Sequence, residues 1–169
     1  MEKGPYRCRD PPGQALPTVL FTGTTLRYLV REVKGSGELK PGPLGKLYLT
    51  HHYFTAASFA EKRARQYGDY PTILAVNPMY LHEIPKKDAA GYAVNSLTRG
   101  SFFPLKPVYP KNLDDEEGWD MVNGFPNVVR TLKPDDLAEV VDRFCQEYLK
   151  QSQPLQPSYL VPKIPRRDS

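Results

Sequence analysis

Apolar positions near the start of the chain form a short run and then a helical stripe. Residues 18–21 are an apolar run with Gly23 close behind, which predicts a buried strand. Apolar residues then recur at i, i+3, i+4 and i+7, the spacing of one helix face; they are Leu26, Leu29, Val30 and Val33. Thr24 or Thr25 can cap this predicted helix, and the glycines within residues 35–37 end it.

A second strand and helix follow in the same order. Residues 47–50 predict a short strand, and Thr55 can cap a helix that reaches Tyr67, with Gly68 just beyond it. The apolar face of that helix is rich in alanine and consists of Ala56, Phe59, Ala60, Ala64 and Tyr67. Residues 72–76 are continuously apolar, which predicts a strand buried on both faces.

The pattern weakens in the middle of the chain and recovers in a last helix. Short strands are predicted at residues 80–84, 91–94, 102–109 and 127–131. Pro104 and Pro107 restrict the third of these to a sheet edge. Pro134 then opens the strongest amphipathic helix, which runs to about Lys150. Its apolar stripe consists of Leu137, Val140, Val141, Phe144, Tyr148 and Leu149.

The order of these elements predicts the fold class. The strands are short and Gly-rich phosphate turns are absent, so the pattern does not fit a doubly wound dinucleotide domain. We expect an α+β fold, with a compact, split, mixed or antiparallel sheet of short strands and two or three packed helices. Residues 18–150 form the predicted single domain, between an irregular lead-in at 1–17 and a Pro- and Gln-rich, weakly basic tail at 151–169.

Composition and charge exclude several classes of protein. Of the 169 residues, 40% are hydrophobic and 25% are charged, as in an ordinary globular domain. The net charge of +4 lacks a dense basic stripe, so nucleic acid is not an expected partner. No apolar run approaches the roughly 20 residues that span a bilayer, and the N-terminus has no apolar signal region. We therefore expect a cytoplasmic protein without a membrane segment.

The cysteines and histidines give little sign of further chemistry. Cys8 and Cys145 can form a disulfide, although two reduced thiols are the favoured interpretation. His51 and the histidine after it lack the spacing to a third partner that a metal site needs. The sequence therefore predicts no metal.

Candidate chemistry is concentrated in three short segments. The first contains Thr22-Gly23-Thr24, the second contains Tyr48-Leu49-Thr50 before the Ala-rich helix, and the third is the apolar strand that ends at Pro78. Here the chain resembles the ADP-ribosyltransferase-like superfamily, and most closely the small bacterial type that modifies rifampicin. That type has a His-Gly-Thr turn, a Tyr-Leu-Thr strand before an Ala-rich helix, and a later Thr-Arg segment, which Thr98-Arg99 matches here.

The resemblance implies a cleft between two sheets that binds NAD as a substrate. In that family the first motif holds an NAD ribose, the tyrosine packs on nicotinamide, and an acid stabilises the sugar cation as nicotinamide leaves. A fixed carboxylate lowers the energy of such an oxocarbenium-like transition state electrostatically. A flat aromatic ring suits the faces of nicotinamide.

Carried over to this chain, the resemblance assigns a cofactor site. Gly23 and Thr24 match the Gly-Thr of the first motif, and Thr22 stands where the family has histidine. Tyr48 matches the tyrosine of the second motif, and Thr50 lies two residues further on. Arg99 is a further candidate contact for NAD.

The acid of the family is assigned less directly. Glu83 lies nearest the expected place after the third strand, so Glu83 and Tyr48 are the predicted catalytic residues. Asp88 is the second choice for the acid. The acidic residues 114–117 are farther away and are interpreted as a solvated loop.

Each of these residues also has a structural interpretation. Tyr48 can be a core or rim tyrosine, and Gly23 can be the turn between a strand and a helix. Glu83 can be an ordinary surface carboxylate, and Arg99 can cover an aromatic ring instead of holding a phosphate.

Two functions stay open at this level. The first is an enzyme that transfers ADP-ribose from NAD to an unknown acceptor, which the order of the three motifs favours. The second is a catalytically silent module of the same fold that binds a protein partner, which Thr22 in place of histidine favours. Tyrosine is enriched at protein interfaces, and the chain contains 11 tyrosines. An open pocket with Tyr48 on its wall favours the enzyme, and a filled cleft favours the module.

Overall fold

The structure is a computed structural model that describes residues 19–41, 45–88, 91–107, 128–151 and 153–155. The predicted lead-in at 1–17, the acidic residues 114–117, Cys8 and most of the tail at 151–169 lie outside this part of the chain. Cys145 lies within it and is a half-buried free thiol.

Short antiparallel strands form three small sheets. The first has the order β1–β4–β8, the second pairs β2 with β7, and the third has the order β3–β6–β5. The strands are β1 (Leu20–Thr25), β2 (Glu38–Leu39), β3 (Leu47–Leu49), β4 (Pro71–Val76), β5 (Lys86–Asp88), β6 (Gly91–Val94), β7 (Leu97–Thr98) and β8 (Phe102–Leu105). The predicted α+β class, with a split antiparallel sheet of short strands, is confirmed.

Three longer helices pack with these sheets: α1 (Leu26–Ser36), α2 (Tyr53–Tyr67) and α3 (Pro134–Gln151). Gly37 follows α1 with φ 79°, and Gly68 follows α2 with φ 64°, the left-handed conformation that glycine adopts most easily. Both predicted helix ends are therefore confirmed. The predicted cap of α2 is wrong, because the helix begins at Tyr53 and the extended residue before it is His52.

Two predicted strands are also wrong. Residues 128–131 are helical, and Val129 is fully buried against the same cluster as Phe21 and Ile73. Tertiary packing has overridden the strand propensity of this β-branched run. Residues 80–84 form no strand, because the side chain of Asn77 accepts a hydrogen bond from the Met79 backbone N at 3.0 Å and favours a 3₁₀ turn at Pro78–Tyr80.

The core lies on both faces of the sheet that contains β4. Leu74 and Val76 face one apolar cluster, which includes Leu29 of α1 and Val141 of α3. Ile73, Ala75 and other residues face a second cluster, which includes the alanines of α2. The prediction that this strand is buried on both faces is confirmed, since residues 72–76 are all 0% exposed.

Candidate functional site

A cavity lies between two strands that meet at one point. The backbones of Phe21 and Thr50 exchange hydrogen bonds with N···O distances of 2.6 and 2.9 Å, which joins β1 to the end of β3. Elsewhere β1 pairs with β4, and β3 pairs with β6. The cavity between β1 and β3 has a volume of about 720 Å³. This volume is within the usual range for small-molecule sites.

The structure brings five of the predicted site residues together in this cavity. Thr22, Gly23, Thr24, Tyr48 and Thr50 all line it. Tyr48 is 51% exposed, so it is not a core tyrosine, and the interpretation as a rim tyrosine stays open. The Oγ1 of Thr50 accepts a hydrogen bond from the backbone N of His52 at 3.0 Å. Two of the segments that carry the family resemblance therefore share one open space.

Gly23 is constrained by packing as well as by its place in the cavity wall. It lies inside β1 and not in a turn. A Cβ atom at this position would lie 2.3 Å from the carbonyl oxygen of Ala56 and 2.8 Å from the backbone N of Ala60. The Ala-rich face of α2 crosses β1 at this point, and the two backbones approach so closely that no side chain fits between them.

Glu83 and Arg99 are not among the residues that line the cavity. Both carboxylate oxygens of Glu83 accept hydrogen bonds from Asn95, from the backbone N at 2.9 Å and from Nδ2 at 3.1 Å. Arg99 lies 3.5 Å from the carboxylate of Asp142 on α3. The backbone of Asp88 belongs to β5. The 3₁₀ turn after β4 explains why Glu83 does not line the cavity, because the segment that follows this turn does not continue the strand.

The carboxylate that does line the cavity is Asp69, which the sequence analysis missed. Asp69 is 6% exposed and follows Gly68 at the end of α2. Its Oδ1 accepts hydrogen bonds from the backbone N of Arg27 at 3.2 Å and of Tyr70 at 2.7 Å. It therefore satisfies one of the free N–H groups at the start of α1, where Thr25 makes no side-chain cap. The turn signal after α2 marks this region, but no sequence pattern connects it to α1.

Four cationic side chains line the cavity against this single described carboxylate: Arg27, Arg31, Lys46 and Arg63. The Nη1 of Arg27 donates to the carbonyl oxygen of Gly68 at 3.1 Å, and its Cζ lies 5.4 Å from the ring centroid of Tyr70. The Cζ of Arg31 lies 4.9 Å from the ring centroid of Tyr28. A concave surface with such an excess of one charge concentrates the electrostatic potential and attracts anions. These residues are scattered through the sequence, so its net charge did not reveal them.

Aromatic rings form the rest of the distinctive lining. Tyr28 donates from its hydroxyl to the carbonyl oxygen of Lys40 at 2.6 Å. Burial, and to a lesser extent the nearby charge of Glu32, raises the pKa of Tyr28. Tyr48, Phe59 and Tyr67 are 51%, 47% and 47% exposed, so part of each ring is accessible to a ligand, and the guanidinium group of Arg63 lies over Phe59 and Tyr67. Rings combined with cations suit a ligand that is both flat and negatively charged.

Two other features of the described residues concern ligands and membranes. No group of three histidine, cysteine or acidic residues within them has the arrangement of a metal site. None of the helices in the described ranges has the length and apolar character needed to span a bilayer.

Comparisons with known proteins give one structural similarity. No protein-family model matches the chain, and no curated protein matches it. The crystal structure of protein CC0527 from Caulobacter crescentus is similar, with 18% sequence identity and a TM-score of 0.37. The match covers 52% of this chain and 84% of that one. We therefore base the functional proposal on the cavity and on the sequence resemblance of two segments that line it.

Proposed function

We propose that the cavity binds NAD and that the chain is an ADP-ribosyltransferase-like protein, which transfers ADP-ribose to an acceptor. The observation that carries this proposal is the shared position of Thr22-Gly23-Thr24 and Tyr48 on the wall of one open cavity. These are two of the segments in which the sequence resembles that superfamily.

The lining has the chemical groups that NAD requires. The hydroxyls of Thr22 and Thr24 can hydrogen-bond a ribose. Arg27 and Arg31 supply the positive charge that a pyrophosphate needs, and arginine binds phosphate in a bidentate geometry. The half-exposed ring of Tyr48 offers a face on which nicotinamide can stack. The residues present therefore fit the proposed substrate.

Asp69 is the carboxylate that we assign to charge stabilisation. Transfer breaks the bond between nicotinamide and the ribose, leaves positive charge on the sugar, and forms a new bond to a nucleophile that loses a proton. A carboxylate held by backbone N–H groups does not have to reorganise as that charge develops. The two backbone hydrogen bonds of Asp69 hold it in this way. We propose Asp69 for this role because, unlike Glu83, it lines the cavity.

A catalytically silent module is the second candidate, and the same hydrogen bonds favour it. The Oδ1 of Asp69 already accepts two N–H groups, which is also what a purely structural carboxylate at the start of a helix does. Thr22 replaces the histidine of the family, and a threonine side chain has a shorter reach. In this alternative the chain binds a protein partner and does not transfer ADP-ribose.

Calorimetry and product analysis distinguish the two candidates. NAD is titrated into the full chain, and released nicotinamide is measured separately by chromatography. Binding with release of nicotinamide supports the transferase, and binding without release supports a silent module that has kept the NAD site. If millimolar NAD gives neither heat nor nicotinamide, the transferase is wrong and the protein-binding module is the remaining candidate.

A further inference from the structure

One face of α2 places two half-exposed rings on either side of a guanidinium group. Phe59 and Tyr67 are each 47% exposed. The Cζ of Arg63 lies 5.4 Å from the ring centroid of Phe59 and 5.9 Å from that of Tyr67. The three residues are four apart in sequence, so they share one helix face and extend over about 12 Å. All three line the cavity, and we call them the α2 strip.

We propose that the α2 strip is the acceptor subsite and that its acceptor is a single-stranded nucleic acid. The order of ring, cation and ring matches the bases and phosphates that alternate along a strand. Bases stack on aromatic side chains, and arginine pairs with the phosphate between them. This inference rests on the proposed function, because it names the acceptor for the same cavity.

The charges of the cavity support a second anion besides NAD. Four cations line it against the carboxylate of Asp69 among the described residues. We assign the two phosphates of NAD to Arg27 and Arg31 of α1, and Arg31 also forms an ion pair with Glu32 at 3.4 Å. Arg63 is on a different helix from these two arginines. Its positive charge is therefore the one that we assign to a phosphate of the acceptor.

Other acceptors fit the α2 strip less well. A free mononucleotide has one base and therefore covers one of the two rings. An acidic peptide supplies carboxylates, but it has few flat faces to stack on Phe59 and Tyr67. A nucleic-acid strand supplies both groups in alternation. The net charge of +4 did not predict this partner because the relevant charge is local to the cavity.

Fluorescence anisotropy with a labelled eight-nucleotide single strand, in RNA and DNA forms, tests the inference on the full chain. The double variant Phe59→Leu and Tyr67→Leu keeps apolar side chains and removes both rings. We expect it to weaken binding by at least about tenfold, since stacking on one ring contributes roughly fivefold or more. Arg63→Gln should weaken binding severalfold. Lys62→Gln removes the same charge from α2 outside the cavity lining and should change binding less than twofold.

The outcomes separate this inference from the proposed function. Thermal unfolding of each variant establishes that it is folded, and NAD binding is measured on the same samples. The inference is wrong if Arg63→Gln and Lys62→Gln lose the same affinity for the strand, or if the double variant loses none. It is also wrong if AMP binds as tightly as the strand, or if NAD displaces the strand. If NAD binds and no strand does, the inference is wrong and the proposed function stands. If NAD does not bind the wild type, the proposed function is wrong and the acceptor role falls with it.

Discussion

At the scale of single residues, we expect two carboxylates to differ in their effect on nicotinamide release. Asp69 lines the cavity, whereas both oxygens of Glu83 are engaged by Asn95. Glu83 was predicted from the sequence because it lies nearest the expected position after the third strand. The backbone N of Arg27, which Asp69 binds, is 42 residues away in sequence, and such a pairing has no local signal.

We expect Asp69→Asn to lower the rate of nicotinamide release by about 10²- to 10³-fold, because the amide keeps the shape and an acceptor oxygen but loses the negative charge. Glu83→Gln should leave the rate within about twofold. Release of nicotinamide from NAD under saturating conditions measures both. If Glu83→Gln greatly lowers the rate and Asp69→Asn hardly changes it, Glu83 is the catalytic acid, as the sequence predicted.

Gly23 and Gly35 make a matched pair for stability. A Cβ at Gly23 would overlap the backbone of α2, whereas a Cβ at Gly35 meets nothing within 4 Å. Gly23→Ala should therefore lower the free energy of unfolding by at least about 2 kcal/mol. Gly35→Ala, within α1, should raise it by up to about 1 kcal/mol, since alanine is the better helix former. Urea unfolding measures both, and the same sign for the two variants would contradict the packing interpretation of Gly23.

The thiol of Cys145 predicts a dependence on pH. Burial, and secondarily the nearby charge of Asp142, raises the pKa of Cys145 from 9.0 to about 11. The folded state therefore keeps a proton that the unfolded chain loses, and this contribution to stability is complete below pH 9 and lost as pH rises to about 11. The unfolding free energy of the wild type should fall more steeply between pH 9 and 11 than that of Cys145→Ala. Parallel slopes in denaturant titrations would contradict the raised pKa.

At the scale of elements, the sequence pattern predicted those features that depend on residues within the same element. The glycines after α1 and α2 were correctly predicted. The apolar stripe of α3 is confirmed for Leu137, Val141 and Tyr148, which are buried, and is wrong for Leu149, which is 45% exposed. Residues 128–131 and 80–84 were predicted incorrectly, because burial of Val129 and the side-chain hydrogen bond of Asn77 decided their conformation.

One contact between elements can be tested directly. The hydroxyl of Tyr148 on α3 donates to the carbonyl oxygen of Pro71 at the start of β4, with an O···O distance of 2.7 Å. Tyr148→Phe keeps the ring and leaves that half-buried carbonyl without this donor. We expect a loss of about 1 kcal/mol in the free energy of unfolding. Tyr67→Phe, where the ring is half-exposed, should change it by less than about 0.5 kcal/mol.

At the scale of the whole molecule, the cavity concentrates charge that the sequence distributes widely. The net charge of +4 is modest, yet the described lining has four cations and one carboxylate. The sequence predicted the hydroxyls and Tyr48 because they lie in two recognisable strands. It could not predict Arg31, Lys46 or Arg63, since α1, α2 and the residue before β3 come together only in the folded chain.

This concentration of charge predicts salt-dependent binding of NAD. The Kd should rise severalfold between 50 and 500 mM salt, roughly the range over which the Debye length falls from above 10 Å to about 4 Å. Arg31→Gln should weaken binding at low salt and reduce the dependence on salt. Calorimetric titrations at both salt concentrations measure the effect, with Lys62→Gln as the control for a charge lost outside the lining. If the Kd for NAD is unchanged in Arg31→Gln, the assignment of the NAD phosphates to Arg31 is wrong.

The close approach of α2 to β1 affects how natural variation at this site should be interpreted. Selection for folding alone would retain glycine at position 23, in active and inactive relatives alike, because any side chain there meets the backbone of α2. Tyr48 is under no such steric requirement, because its side chain is half-exposed, whereas Asp69 also binds the backbone at the start of α1. Across homologues, substitution of Tyr48 with Gly23 and Asp69 both invariant would mark the lineages in which the ligand has changed while the fold is kept.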